Sequence, residues 1–312
     1  GQSFRETAHF EGNRYALMLP ALDPLGDLWF WDYVVAGGET KSFAVDVPGV
    51  AGSGESVLTV TLQGATEAVS GEDHHAFVFL NGRQIGAGTW DGTGSHAMEI
   101  AFDASLLQEG ANTISVSGAL DMGAPHSVFY VESFDLSYQR RYRAVANRLV
   151  GRGDNHAAIT VSGLSEPQAL VLDVSAAKEP LQLVGVAPDL GGRVSFVPSS
   201  PGTVYLVSGL NAALRPLAVV GDSPSQLLGQ RQAPDYVVIA PEELSQTAQE
   251  LADFRQGKGL TALVVTLEDI YESFSHGMPD PQAIRDYLTY VYTKDGGKLK
   301  YAVLAGKGTC DY

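Results

Sequence analysis

The feature that most constrains this chain is a change of hydrophobic period near Asp235. Before it, apolar residues recur at every second position in short segments broken by turn residues; after it they come as continuous runs separated by helical stripes. A period of two sends successive side chains to opposite faces, so the first part reads as antiparallel sheets that each bury one face. Continuous apolar strands that alternate with helices belong in a parallel sheet covered on both sides.

The alternation is clearest in Val57-Leu58-Thr59-Val60-Thr61-Leu62. The run 76–80 leads into Asn81-Gly82, a dipeptide that supplies positive φ at both positions of a type I′ turn and so predicts a hairpin. With further strands over 97–102, 112–117 and 127–138, residues 1–140 read as one β-sandwich of jelly-roll type. A second set of strands over 157–161, 169–174, 181–186, 193–197 and 203–207 predicts a small all-β, sandwich-like domain at 141–220, and the polar, proline-bearing stretch 221–234 reads as a linker.

From Asp235 the run 236–240 is followed by Pro241 and by a helical stripe at Leu244, Ala248, Leu251 and Phe254, which Gly257 and Gly259 end. A second buried strand is expected over 260–266. Asp280-Pro281 then places an N-cap ahead of a helix lined by Ile284, Leu288 and Val291, and the run 301–306 closes a β-α-β-α-β series. Three such strands alone would leave apolar edges, so residues 235–312 read as an incomplete three-layer α/β domain of caspase or Rossmann-like type. The whole is a multidomain chain of 312 residues.

Charge narrows the partners. Lysine and arginine number 20 against 36 acids, a formal charge of −16, which repels nucleic acid over most of the surface. No apolar stretch approaches the ~20 residues that span a bilayer as a helix. The single cysteine, Cys310, excludes both an intrachain disulfide and a cysteine-rich metal knuckle.

The common phosphate-loop, zincin, nucleophile-elbow and dinucleotide signatures are absent. Cys310 follows the carboxyl end of a strand, where α/β folds place catalytic groups, but a thiolate there needs a histidine, and the α/β part holds only His276. A small apolar thiol is the simpler reading. Glu72-Asp73-His74-His75 resembles a metal cluster, yet adjacent strand residues face opposite ways, so a solvated strand entry is expected. Trp29, Trp31 and Trp90 read mainly as core or edge filler. Trp90, beside Asp91-Gly92, is the best candidate for stacking on a carbohydrate. Arg152-Gly153-Asp154 spells an adhesion tripeptide of the kind turns supply by chance. Asp269, Asp280 and Asp311 are carboxylates near the parallel sheet; Asp280 reads as a cap, and Asp269 and Asp311 are candidate calcium ligands.

The series Asp235-Tyr236-Val237-Val238-Ile239, AQELADFRQGKG from Ala248, Glu268-Asp269-Ile270-Tyr271, FSHGMPDPQAIR from Phe274 and YAVLAGKGTCDY from Tyr301 resembles the opening of the gingipain-type cysteine peptidase domain. The resemblance covers about the last quarter of the chain, and the β-domains ahead of it look like the amino-terminal extensions of long bacterial members. FYVESFDLSYQRRYR from Phe129 looks like the usual junction of such extensions. The segment 79–116 is similar to jelly-roll modules that accompany secreted hydrolases, some of which bind carbohydrate.

The resemblance implies a caspase-like fold, a secreted or cell-surface bacterial protein, a protein or peptide substrate, calcium as a cofactor, and hydrolysis by a histidine and cysteine dyad. No residue here corresponds to either member of that dyad, which the family carries downstream. Lys307 stands where the family has aspartate between two glycines, and Cys310 where it more often has tyrosine. Two functions follow as expectations: the amino-terminal portion of a gingipain-like endopeptidase, inactive alone, or a glycan- or surface-binding module with a vestigial peptidase segment.

Overall fold

The computed structural model describes residues 1–16, 29–68, 71–176, 179–219, 221, 225, 227–229, 234–294 and 296–307. They fall in two compact units, Gly1–Arg215 and Pro216–Tyr312.

The first unit opens with strands β1 (Ser3–Glu11), β2 (Tyr15–Ala16), β3 (Trp29–Phe30), β4 (Asp32–Val35), β5 (Lys41–Val47), β6 (Glu55–Gly64), β7 (His74–Leu80), β8 (Arg83–Trp90), β9 (Ser95–Asp103), β10 (Gly110–Gly118) and β11 (Val128–Arg141). One sheet runs β1-β11-β6-β9 with β4 also paired to β11, and a second runs β5-β10-β7-β8. Their inward residues meet in a single core. Leu58, Val60, Leu62, Phe134 and Leu136 come from the first sheet, and Phe43, Val45, Val78, Ile114 and Val116 from the second. Asn81 and Gly82 adopt φ of 50° and 81° between β7 and β8, as the turn dipeptide demands.

The longest strand, β11, needs a bulge. Its register against β6 shifts between Val131 and Ser133, so odd residues before that point and even residues after it face the same core. Without that extra residue, Phe134, Leu136 and Tyr138 would turn to solvent.

Six shorter strands follow: β12 (Arg148–Arg152), β13 (Ile159–Val161), β14 (Ala169–Asp173), β15 (Leu181–Gln182), β16 (Val194–Phe196) and β17 (Val204–Gly209). The sheet β12-β17-β14-β15 and the ribbon β13-β16 enclose a second core around Leu149, Val161, Val171, Val194 and Val207. Phe4 of β1 is fully buried in this second core, 4.8 Å ring to ring from Tyr142, while β1 pairs along its whole length with β11. One strand therefore serves two cores within the unit.

The second unit contains β18 (Tyr236–Ala240), α1 (Ser245–Gln256), β19 (Ala262–Thr266), α2 (Leu267–Ser275), α3 (Pro281–Lys294) and β20 (Tyr301–Leu304). The strands are parallel in the order β19-β18-β20. All five residues of β18 are buried, because Tyr236, Val238 and Ala240 meet α1 on one face while Val237 and Ile239 meet α2 and α3 on the other.

Three details depart from the sequence reading. The apolar face of α1 is carried by Ala248, Leu251 and Ala252; Leu244 lies ahead of the helix and Phe254 is 58% exposed. Helix α2 has no counterpart in the stripe pattern, yet its start is fixed locally. The Thr266 hydroxyl accepts from the Asp269 amide at 3.2 Å and donates to the Asp269 carboxylate at 2.8 Å. Within 221–234, read as a linker, Leu227 is buried in the α2–α3 core, and the Leu228 carbonyl accepts from the Tyr290 hydroxyl at 2.7 Å. Asp280 caps α3 as expected, accepting from the Gln282 amide at 2.8 Å with Pro281 at the first helical position.

Candidate functional site

The parallel sheet is wound in two directions. The β18-to-β19 connection crosses by α1 on one face, and the β19-to-β20 connection crosses by α2 and α3 on the other. The winding therefore reverses at β18, and the crevice beyond the carboxyl ends of β18 and β20 is where an open α/β sheet takes its ligand. The Ala305 amide donates to the Ile239 carbonyl at 2.8 Å and holds the two strand ends together there. Glu242 and Glu243 follow β18, and Gly306, at φ 144°, leads to an exposed Lys307 after β20.

This end carries charge but, among the described residues, no cysteine or histidine. Cys310 and Asp311 lie outside the described residues. His276 caps the far end of α2 in the left-handed conformation. Because α2 leaves the carboxyl end of β19 and spans nine residues, about 13 Å of helix separates His276 from the crevice. It is placed wrongly to activate a group there.

Calcium fares no better. Asp269 is the third residue of α2, and its carboxylate accepts from the hydroxyl of the N-cap Thr266; no group of three histidine, cysteine or acidic residues among those described could hold an ion. The Asp269 carboxylate is engaged at the start of α2.

The opposite, amino end of the sheet is a structural tie. Asp235 accepts from the Thr261 amide at 3.1 Å and pairs with Lys300 at 3.0 Å, while its carbonyl accepts the amides of Lys300 and Tyr301. The hydrogen bond from Lys300, then that from the Thr261 amide, holds the Asp235 carboxyl below its ordinary range. One side chain thereby fastens the starts of β18, β19 and β20.

In the first unit, Trp90 is only 7% exposed and does not offer a face to a sugar. Its indole stacks on His74 at 4.7 Å and on His96 at 4.8 Å and meets Phe129 edge-on at 5.1 Å. The carbohydrate-stacking expectation gives way to core packing. Trp31 packs on Phe43 and Phe134, and Trp29 is half-buried in the β2–β3 ribbon.

The expectation of a solvated strand entry at Glu72-Asp73-His74-His75 is also overturned. Asp73 and His74 are 1% and 0% exposed. His74 Nδ1 lies 2.7 Å from Ser127 Oγ, and Nε2 faces the carbonyls of Gly92 (3.1 Å) and Thr66 (3.2 Å) and Oδ1 of Asp73 (3.4 Å). Three acceptors around Nε2 require that it carry the proton. Asp73 Oδ1 also accepts from the Gly92 amide at 2.9 Å.

This is a serine, histidine and aspartate triple, but it is sealed: Ser127 is 1% exposed and no reacting atom could reach it. It ties four chain segments together. His75 points the other way, to Asp121 at 2.9 Å. No spacing in the sequence joins Ser127 to His74, so only the fold reveals the knot.

Arg152-Gly153-Asp154 is held flat. The Arg152 carbonyl accepts from the Tyr142 hydroxyl, the Gly153 amide donates to Thr203, and the Asp154 amide donates to Pro201. Gly153 is buried, so the tripeptide does not project as an adhesion loop.

Comparison with known proteins adds the following. Residues 229–312 match the model described as Peptidase family C25. No curated protein matches the chain. Dimeric latent PorU from Porphyromonas gingivalis is similar over 95% of this chain and 28% of that one, at 17% identity and a TM-score of 0.70. The chain therefore spans 28% of the length of that structure, with which it shares a fold. The CBM36-1 domain of a multidomain xylanase from the hindgut metagenome of Trinervitermes trinervoides overlaps over 42% of this chain and 95% of its own. Identity is 12% and the TM-score 0.27, too low to bear on the fold. No helix among the described residues is long and apolar enough to cross a membrane.

Proposed function

We propose, from the premise that residues 229–312 belong to peptidase family C25, the gingipain family, that the chain is the amino-terminal portion of a secreted or cell-surface bacterial cysteine endopeptidase. The first sandwich is read as a jelly roll and the parallel unit as the opening of a caspase-like domain. The histidine and cysteine that cleave peptides stand outside this chain.

The observation that carries the reading is the bare edge of β20. Tyr301 is 54% and Leu304 65% exposed, and no strand pairs with the outer side of β20 among the described residues. An apolar parallel strand left at an edge is an aggregation template unless more chain covers it. Further strands on that side extend the sheet and build the crevice wall that Glu242, Glu243 and Lys307 leave open. In the chemistry this implies, histidine takes the thiol proton and the thiolate attacks the scissile carbonyl. The amine then leaves with the proton, and water hydrolyses the thioester.

The competing reading is a glycan- or surface-binding module; its best stacking candidate, Trp90, is buried and offers no face to a sugar. On casein, residues 1–312 should show no thiol-dependent cleavage, whereas a longer product carrying the dyad should cleave and lose activity on cysteine alkylation. Thiol-dependent cleavage by residues 1–312 would sink the proposal.

A further inference from the structure

The β12-β17-β14-β15 sheet buries one face in its own core and is apolar on the other as well. In β12, Leu149 and Gly151 are buried on the core side, so Arg148, Val150 and Arg152 face outward. The register sets Val150 beside Leu206 of β17, and Leu206 beside Leu172 of β14. One aliphatic row thus crosses three strands on the outer face, with Val204 and Leu170 in the rows to either side. None of these five joins the core around Leu149, Val171 and Val207. Val150 is 42% exposed and the other four are half-buried. An antiparallel sheet with water on its second side carries polar residues there, and an apolar second face marks a place where something docks.

Size and charge define the occupant. Residues 148–152 span about 14 Å along the strand, and three strands span about 10 Å across. Such a footprint is far below the ~800 Å² that each partner gives to a stable dimer. It matches one helix, about 10 Å wide, over about ten residues. Arg148 and Arg152 stand exposed on the rim of the patch. Neither forms an ion pair among the described residues, and Glu6, whose carboxylate feels Arg152, pairs with Arg140 at 3.6 Å. Two unpaired cations beside an apolar row select carboxylates.

We propose that the outer face of this sheet is a docking surface for a short amphipathic helix of a partner protein, one whose aliphatic stripe is flanked by aspartate or glutamate. The stripe covers Val150, Leu206 and Leu172, and the flanking carboxylates meet Arg148 and Arg152.

The test uses a fluorescein-labelled synthetic peptide of about 14 residues, with leucine at every third or fourth position and glutamate on the flanks, added to residues 1–312 in about 0.1 M salt. A twin peptide carries lysine in place of glutamate. Fluorescence anisotropy should give a Kd below about 1 mM for the glutamate peptide and binding at least about fivefold weaker for the twin, although the chain's net charge of −16 attracts the twin. Leu206→Asp should weaken binding at least about tenfold, and Arg148→Glu combined with Arg152→Glu at least about fivefold. Leu172→Ser, with the same expected direction, takes the place of Leu206→Asp if that variant fails to fold.

No binding of the glutamate peptide, equal binding of the twins, or full affinity in the folded variants would overturn the proposal. A dimer of residues 1–312 in sedimentation that Leu206→Asp disperses would also overturn it, because a second copy would then cover the face. A longer product carrying the dyad should bind the peptide equally well. Loss of binding there would mean that further chain of the same protein occupies the patch, and would defeat the proposal too.

Discussion

Gly64→Ala should lower the stability of the first unit by about 3 kcal/mol, although it adds a single methyl group. A Cβ at this position would lie 2.0 Å from the Gly92 carbonyl oxygen and 2.9 Å from His74 Nε2. The first contact is with backbone in the turn that closes the buried knot, so no flexible side chain can give way. Moving Gly92 outward breaks its bonds to Asp73 and His74 and leaves buried polar atoms unpaired, which adds to the steric cost. Gly94→Ala is the matched control, because a Cβ there meets nothing within 4 Å and should change stability by no more than about 0.5 kcal/mol. Urea midpoints of the two variants decide it. Equal midpoints would mean that the knot does not constrain the fold.

The second large effect is expected at the centre of the parallel sheet. Val238 is fully buried in β18, paired with Val264 on one side and Val303 on the other. Val238→Asp places a carboxylate in the apolar layer that Val238 shares with Tyr236, Ala240, Ala248, Ala252 and Ala262, at a cost of about 4 kcal/mol or more. The described α-helices all belong to this unit, so the ellipticity at 222 nm reports its loss. Leu304→Asp, on the bare edge of β20, should leave that signal intact in residues 1–312 because its side chain is already solvated.

Much of the scaffold was legible because it is encoded locally. Asn81-Gly82 is a turn wherever two strands flank it, and Asp280-Pro281 caps a helix by its own geometry. The period change at Asp235 marks the parallel sheet, since only strands buried on both faces read as continuous apolar runs. Helix α2 was missed although Thr266 and Asp269 carry its capping signal, because its nine residues are too short for a stripe to stand out.

What stayed hidden is set by distant contacts. A buried histidine and an exposed one look alike in sequence. The burial of His74 depends on Ser127, 53 residues away, and on a turn between two other strands. Trp90 looked available beside Asp91-Gly92, yet its position at the end of β8 delivers the ring between two imidazoles. The bulge in β11 likewise answers to its partner strand.

The central claim is that further strands of the same protein complete the sheet at β20. The Tyr301 and Ala305 amides donate to Asp235 and Ile239, so the strand period leaves the amides of Ala302 and Leu304 pointing away from β18. Hydrogen exchange at these two amides tests the claim directly. It should be fast in residues 1–312 and at least about a hundredfold slower in a longer product that carries the dyad, as for amides inside a sheet. Equally fast exchange in both would contradict the account.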